Sequence, residues 1–133
     1  IKAAVRTSVD YGAPVVGICF GHQILAVMHG AGGGRAPESG PVKIQVVEDD
    51  PVFDNLPRSR SFYARASHSG MVTLPDGHAD LIAVSDTCRT QVFRYKGKPW
   101  YTFQCHIESN WESSCPDACP LWKNMLRTWG LAP

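Results

Sequence analysis

The most constraining feature of the sequence is an apolar run that leads directly into a glycine and a helix-forming stretch. Residues 14–19 read PVVGIC, without the alternation of polar and apolar residues that marks a strand with one solvated face. A continuous run of this kind is typical of a strand buried on both faces of a parallel sheet. Residues 22–29 then read HQILAVMH, and Gly30 and the glycines at 32–34 follow. This order predicts a buried strand, a sharp turn, a helix that ends near Gly30, and a hinge at residues 32–34.

The remaining elements are predicted from shorter patterns. Apolar residues at helical spacing predict a first helix over residues 1–11 and a last helix over residues 121–129, which Gly130 ends. The tetrapeptide KGKP at residues 96–99 indicates a hairpin turn. Five segments have the alternation or the apolar character of strands, and they lie at residues 42–46, 62–66, 81–84, 91–95 and 100–105.

Composition limits the classes of partner. A chain of 133 residues with 44% hydrophobic residues is suited to one soluble domain over residues 1–133. Thirteen basic against twelve acidic side chains give a net charge of +1, so no overall field favours nucleic acid or a membrane surface. No apolar run approaches the roughly 20 residues of a membrane-spanning helix, and no signal peptide is recognisable. We therefore expect a cytosolic domain whose partners are small molecules or proteins.

Five cysteines are present, and their odd number and irregular spacing favour reduced thiols over a secreted disulfide framework. Cys115 and Cys119, together with Cys105 and His106, lack the close-spaced pairs of a structural zinc site. We therefore expect no metal. The roles of Cys105, Cys115 and Cys119 remain open, with loop thiols or a local disulfide as the alternatives.

Residues 17–21, GICFG, have the form Gly-x-nucleophile-x-Gly, which holds a serine or cysteine on a strained strand-to-helix corner. The two glycines are expected to permit a tight turn that exposes the Cys19 sulfur and frees backbone N–H groups for an oxyanion. The positive end of the following helix is expected to lower the thiol pKa. The alternative is that Cys19 is a small buried residue at the end of a core strand. A catalytic interpretation therefore requires a base elsewhere in the chain.

His106 and Glu108, at the end of the strand predicted over residues 100–105, place an imidazole two residues from a carboxylate. A cysteine nucleophile needs a histidine that takes the thiol proton and returns it to a leaving amine. The carboxylate fixes the tautomer and stabilises the imidazolium. The alternative is a surface histidine beside a solvated glutamate, because sequence alone does not show proximity to Cys19.

In combination these segments resemble the class I glutamine amidotransferases. Residues 14–23, PVVGICFGHQ, are similar nearly residue for residue to the nucleophile motif of that family. Residues 103–108, FQCHIE, resemble its second signature, which usually reads FQFHPE. Residues 66–72, ASHSGMV, are similar to the segment that places backbone groups against the substrate. The resemblance implies a three-layer, flavodoxin-like α/β fold with a mixed, largely parallel sheet.

The resemblance also implies a reaction. Glutamine would be hydrolysed to glutamate and ammonia through a γ-glutamyl thioester on Cys19, and the ammonia would pass to a synthase domain or subunit. His106 would act as general base and then acid, oriented by Glu108, and no cofactor is implied. The residues that the resemblance places against the bound glutamine are Phe20, through its backbone N–H, and Gly21, Gln23, Ser69 and Gly70.

Two departures from the family pattern change these expectations. Ile107 replaces the usual proline and restores a backbone N–H, so the loop that presents Glu108 is expected to be set differently. The family also places several dozen residues, with core strands and a Gly-Gly-Pro-type loop, before the nucleophile strand. We therefore expect an N-terminally incomplete domain, either as a fragment or as a homodimer that covers the open sheet edge beside residues 15–19.

Two other functions remain open. One is hydrolysis of a γ-glutamyl peptide or amine, which would use the same thioester. The other is a binding or regulatory module that keeps the cysteine corner without turnover.

Overall fold

The computed structural model describes residues 12–108 and 117–131 and contains a six-stranded sheet and two α-helices within those residues. The helix predicted over residues 1–11 lies outside the described residues, as do Trp111 and Cys115. In chain order the elements are β1 (Val15–Ile18), α1 (Phe20–Met28), β2 (Gly33–Val46), a 3-10 turn (Pro51–Phe53), β3 (Ser61–Val72), β4 (Ala79–Val84), β5 (Val92–Tyr95), β6 (Trp100–Phe103) and α2 (Ala118–Thr128).

The sheet is mixed, with strand order β1-β6-β5-β4-β2-β3. β1 and β6 are parallel, whereas the four other described pairs are antiparallel. The α/β fold class is confirmed, but the expected predominance of parallel pairs is wrong for the described strands. Hairpins such as the predicted one at residues 96–99, which joins β5 to β6, reverse the chain direction and produce antiparallel pairs. Among the described strands β1 is an edge that pairs only with β6, and the homodimer expected there stays a prediction.

Two apolar clusters cover opposite faces of the sheet. Leu25 of α1 packs with Phe93 and Trp100 on one face, and Leu121 of α2 packs with Tyr101 on the other. Consecutive residues of a strand point to opposite faces, which explains why Trp100 and Tyr101 belong to different clusters. The sheet therefore lies between α1 and α2, and the three-layer expectation is confirmed.

The glycine-rich segment after α1 belongs to a strand, and the expected hinge there is wrong. β2 begins at Gly33, which pairs with Val72, and Gly34 pairs with Met71. A Cβ on Gly34 would lie 2.8 Å from Met71 Sδ, so the glycine permits this close pairing. The resulting long β2–β3 ribbon extends well beyond both predicted segments and includes the predicted substrate-binding part of β3.

Both described helices end where the sequence predicts. α1 begins at Phe20, two residues before the predicted start, and Gly30 follows it with a φ of 91°. α2 is followed by Gly130 with a φ of 70°, a left-handed conformation that glycine adopts without steric cost. Neither described helix is long and apolar enough to cross a membrane.

Candidate active site

Cys19 occupies the corner between β1 and α1. Its φ of 52° and ψ of −101° lie where residues other than glycine are rarely found. The Cys19 N–H donates to Phe103 O at 2.7 Å, and the Gln23 N–H donates to Cys19 O at 3.0 Å. These two bonds attach the corner to β6 on one side and to the first turn of α1 on the other. The strained strand-to-helix turn predicted from the sequence is thus present in the backbone.

The two glycines of the corner have different surroundings. A Cβ on Gly17 would lie 2.8 Å from Thr102 Cγ2 and 3.1 Å from the carbonyl carbon of Gly21. Glycine at position 17 therefore lets β1 approach both β6 and the start of α1. A Cβ on Gly21 would meet no described atom within 4 Å. The steric argument drawn from the sequence is correct for Gly17 and wrong for Gly21.

The predicted base follows the carboxyl end of β6, next to the carboxyl end of β1 that carries Cys19. The backbone N–H of His106 donates to Arg65 O at 2.7 Å, which attaches this segment to β3. His106 Nδ1 lies 2.5 Å from Glu108 Oε1. Nδ1 therefore carries a hydrogen in the neutral ring, and Nε2 keeps its lone pair. The structure brings His106 and Glu108 together in the arrangement that a general base requires.

Ile107 explains how the loop is held without the family's usual proline. Its side chain is fully buried in the apolar cluster on the α2 face. Its carbonyl oxygen accepts a hydrogen bond from Trp122 Nε1 at 2.9 Å. Apolar burial and this bond to α2 fix the backbone between His106 and Glu108, so the loop presents the carboxylate without a proline at position 107.

Two polar groups that lie outside the corner itself are within hydrogen-bond distance of the Cys19 thiol. Gln104 Nε2 lies 3.6 Å from Sγ, and Ser67 O lies 4.0 Å from it. His106 is not a hydrogen-bond partner of the thiol in this arrangement, within the part of the chain that the structure describes. Cys19 and His106 are therefore neighbours by strand position and do not share a proton in this arrangement.

Burial raises the pKa of the Cys19 thiol above its ordinary value. The backbone N–H of Phe20 opposes this rise, the negative charge of Glu108 adds to it, and the Gln104 amide opposes it. The expectation that the helix end lowers the thiol pKa is therefore wrong in net direction. Desolvation exceeds the favourable contribution of the donors around the sulfur, so the resting group at neutral pH is a thiol.

Two of the residues predicted to bind substrate are joined directly. Gln23 Nε2 donates to Gly70 O at 3.2 Å and to Gln104 Oε1 at 3.1 Å. Ser69 is exposed and lines a shallow polar cleft with Ser67. The structure thus places α1 and the second half of β3 on the two sides of one polar region beside Cys19.

Sequence reasoning missed a buried hydrogen-bonded pair at this region. His68 Nε2 lies 2.7 Å from Glu38 Oε1, and the two side chains are only 2% and 4% exposed. The other ring nitrogen of His68 lies 2.8 Å from Gly70 O. Gln91 Nε2 and Ser85 Oγ also donate to the Glu38 carboxylate, at 2.6 and 2.7 Å. The only sequence signal for this cluster was a histidine within the predicted substrate segment.

The same pair belongs to a group with metal-ligand spacing. One ligand atom each of Glu38, His68 and Cys88 lies within 4.8 Å of the others, and this is the only such group found among the described residues. A metal ion there would have to replace the direct contact of Glu38 with His68. The polar atoms of this pair are already satisfied by the protein, so the cluster is a closed hydrogen-bond network.

His22, the other histidine of the nucleophile motif, has a structural role. It is fully buried and stacks on Phe93 with ring centroids 4.5 Å apart. Its Nε2–H donates to Thr90 O at 3.1 Å, and its Nδ1 accepts from the Thr102 hydroxyl at 2.8 Å. Burial lowers the pKa of His22 to about 3, so the ring is neutral at ordinary pH. His22 is therefore a packing residue of the core beneath the corner.

Known proteins support a family assignment. The family model described as glutamine amidotransferase class-I matches residues 2–117. The chain is 40% identical over 102 residues to a glutamine-hydrolyzing GMP synthase subunit of Archaeoglobus fulgidus, and the match covers 74% of this chain and 54% of that protein. It is 36% identical over 110 residues to the corresponding subunit from Methanocaldococcus jannaschii, with 80% of this chain and 57% of that protein covered. The chain thus spans little more than half the length of these relatives.

Solved structures agree with the sequence relatives. The fold superposes with a TM-score of 0.81 and 27% identity on the crystal structure of a Thermoplasma acidophilum protein described as a GMP synthase subunit, covering 94% of this chain and 62% of that one. A glutamine amidotransferase from Thermotoga maritima has the same fold, with a TM-score of 0.72 at 24% identity and coverage of 98% and 56%. Since the family model matches most of the residues of this chain, the chain belongs to the class I glutamine amidotransferase family.

Proposed function

We propose that this chain is a glutaminase that hydrolyses the side-chain amide of glutamine and supplies the ammonia to a synthase partner. The observation that carries the proposal is the placement of a strained cysteine and a paired histidine after the carboxyl ends of two adjacent parallel strands. This arrangement supports nucleophilic catalysis because both reactive groups leave the sheet at the same edge.

The first step creates the nucleophile. Because burial keeps Cys19 protonated, His106 Nε2 must take the thiol proton, and Glu108 stabilises the resulting imidazolium. The imidazole and the thiol have to come within hydrogen-bond reach, and contacts of this kind often tighten only when substrate binds. The thiolate then adds to the amide carbon of glutamine. The oxyanion accepts a hydrogen bond from the backbone N–H of Phe20.

The second step releases ammonia. His106 returns its proton to the amide nitrogen, the carbon–nitrogen bond breaks, and the glutamyl group stays on Cys19 as a thioester. His106 then deprotonates a water molecule that hydrolyses the thioester to glutamate. During both steps Gln23 orients the substrate. Its amide nitrogen already donates to Gly70 and Gln104, so its carbonyl oxygen is the group that faces the substrate α-ammonium.

The relatives' names suggest the ammonia acceptor. Two relatives are glutamine-hydrolysing GMP synthase subunits, and we propose that this chain serves the same kind of synthase. The test is amination by the assembled synthase with either glutamine or ammonium as nitrogen source. Cys19→Ala should abolish the glutamine-dependent reaction and leave the ammonium-dependent one intact. Loss of both reactions would mean that Cys19 acts on assembly or folding instead.

Ammonia release from glutamine tests the chemistry directly. Cys19→Ala should remove it, and His106→Ala should lower it by about 10²–10⁴-fold, the usual contribution of a positioned general acid–base. His78→Ala is the matched control, because His78 is exposed and lies in the loop before β4. Release that persists in Cys19→Ala would refute the mechanism.

The same assay distinguishes the two other functions. Faster release from a γ-glutamyl dipeptide than from glutamine would identify a γ-glutamyl hydrolase. A module without turnover would keep Cys19 and His106 out of hydrogen-bond contact even with glutamine bound. That module would bind glutamine in a calorimetric titration, release no ammonia, and leave Cys19 unlabelled by an electrophilic glutamine analogue.

A further inference from the structure

We infer that Gln104 is a further catalytic residue that donates a hydrogen bond to the Cys19 thiolate, in an orientation imposed by Gln23 and the Gly70 carbonyl. This inference rests on the proposed nucleophilic role of Cys19. Gln104 is fully buried, and its Nε2 lies 3.6 Å from Cys19 Sγ. Its backbone N–H donates to Gln91 O at 2.7 Å, which fixes the residue at the end of β6.

The orientation of the Gln104 amide follows from the groups around it. A backbone carbonyl can only accept, so Gln23 must present its NH₂ group to Gly70 O. The same nitrogen lies 3.1 Å from the Gln104 amide and must donate to its oxygen. Gln104 therefore turns its own NH₂ group toward the Cys19 sulfur. The opposite orientation would place the Gln104 NH₂ group against the Gln23 NH₂ group. It would also place the Gln104 amide oxygen against the Cys19 thiolate.

The Gly70 carbonyl, which determines the orientation of the Gln23 and Gln104 amides, is itself held in place. It accepts a second hydrogen bond from His68 Nδ1 at 2.8 Å. The His68 ring cannot turn freely, because its other nitrogen contacts Glu38 and both side chains are almost completely buried. A continuous series of directed hydrogen bonds thus runs from the Glu38–His68 pair through Gly70 and Gln23 to Gln104.

The consequence for catalysis is selective stabilisation of one protonation state. An N–H donor forms a stronger bond to a thiolate than to a neutral thiol, because the acceptor is charged. The Gln104 contact therefore favours the ionised nucleophile, against the burial and the Glu108 charge that disfavour it. Since the donor is oriented before substrate arrives, no reorganisation is needed when the charge appears.

The test measures ionisation of Cys19 without glutamine. Iodoacetamide alkylation of the Cys19 peptide is followed by mass spectrometry from about pH 6 to about pH 11.5, a range that extends well above ordinary thiol pKa values because the Cys19 pKa is raised. Gln104→Met keeps the length and removes the donor. Because the donor bonds the thiolate more strongly than the thiol, its loss should raise the pH midpoint of alkylation by about 0.4–1 unit, with about 3–10-fold slower alkylation at pH 7. Gln104→Glu has nearly the same shape and adds a negative charge, so it should raise the alkylation midpoint further.

Two more variants separate the inference from a structural effect. Gln45→Met makes the same chemical change at an exposed position of β2 and should leave the midpoint unchanged. Gln23→Met removes the group that orients Gln104, and it should raise the midpoint although Gln23 does not touch the sulfur. Thermal unfolding identifies any variant whose fold is lost.

The outcomes also separate this inference from the proposed glutaminase. Folded Gln104→Met and Gln104→Glu proteins with the wild-type midpoint would overturn the role of Gln104, whatever their ammonia release. A raised midpoint in Gln104→Met together with a wild-type midpoint in Gln23→Met would overturn the imposed orientation. Absence of ammonia release from the wild type, with the midpoints shifted as expected, would overturn the glutaminase and leave the thiolate contact standing.

Discussion

The strain at Cys19 predicts an unusual order of stability between two substitutions. Cys19→Ala and Cys19→Gly both remove the sulfur and its contacts with Ser67 and Gln104. They differ in the Cβ, which is unfavourable at the observed φ of 52° and ψ of −101°. We expect Cys19→Gly to be the more stable protein, although glycine usually destabilises.

The magnitude follows from two opposing contributions. A residue other than glycine in such a sparsely populated backbone region costs about 1–3 kcal/mol. Glycine loses about 0.5–1 kcal/mol more than alanine through backbone entropy. The difference should leave Cys19→Gly more stable than Cys19→Ala by about 1 kcal/mol. For a chain of 133 residues, that free energy corresponds to a Tm increase of about 4 °C.

Thermal and urea unfolding of both variants measure the difference, and Ser39 supplies the control pair. Ser39 is exposed in β2 and is not among the residues with positive φ. Ser39→Gly should be less stable than Ser39→Ala by about 0.5–1 kcal/mol, the usual sign. If Cys19→Gly also proves less stable than Cys19→Ala, the corner stores no strain and the backbone argument for an exposed nucleophile fails.

Three other predictions concern the surroundings of the corner. Gly17→Ala should cost about 1–3 kcal/mol in unfolding free energy through overpacking against Thr102, whereas Gly21→Ala should gain up to about 1 kcal/mol of helix propensity; urea unfolding that ranks them the other way would contradict the contact geometry. Because the pKa of His22 falls from an unfolded value near 6.5 to about 3, the unfolded state binds the extra proton. The contribution of His22 to the free energy of unfolding should thus fall by about 1.4 kcal/mol for each pH unit below about pH 6, and the unfolding free energy of His22→Gln should not show this pH dependence. Glu38→Gln should cost on the order of 3 kcal/mol in the same assay because it removes the carboxylate from a buried pair, and a loss below about 1 kcal/mol would show that this carboxylate contributes little to stability.

The features that could be predicted from the sequence depend on local chemistry. The buried strand β1 and the helix α1 follow from an apolar run, a glycine and a helical stretch that are contiguous in the chain. The pairing of His106 with Glu108 follows from a two-residue spacing at a strand end. In each case the residues that determine the structure are near neighbours, so pattern and spacing are sufficient.

The features that could not be predicted depend on contacts between distant residues. The start of β2 at Gly33 is determined by pairing with Val72, which overrides the turn preference of three consecutive glycines. The Glu38–His68 pair joins residues separated by 30 positions, and no motif indicates the glutamate. Gln104 lies within the recognised second signature, but its contact with Cys19 requires the parallel pairing of β1 and β6. Periodicity contains no information about such pairings.

The raised pKa of the Cys19 thiol shows that the effect of burial on ionisation has to be compared with the effect of local dipoles. The helix end and the neighbouring donors favour thiolate, but removing the sulfur from water opposes it more strongly, and the charge of Glu108 adds to that opposition. In the proposed mechanism the same carboxylate would stabilise the imidazolium that forms when His106 takes the thiol proton. Glu108 therefore links ionisation of the thiol to the approach of the base. Because a resting thiol is much less reactive toward electrophiles and oxidants than a thiolate, the coupling that we propose would restrict reactivity to the moment when His106 is close enough to take the proton.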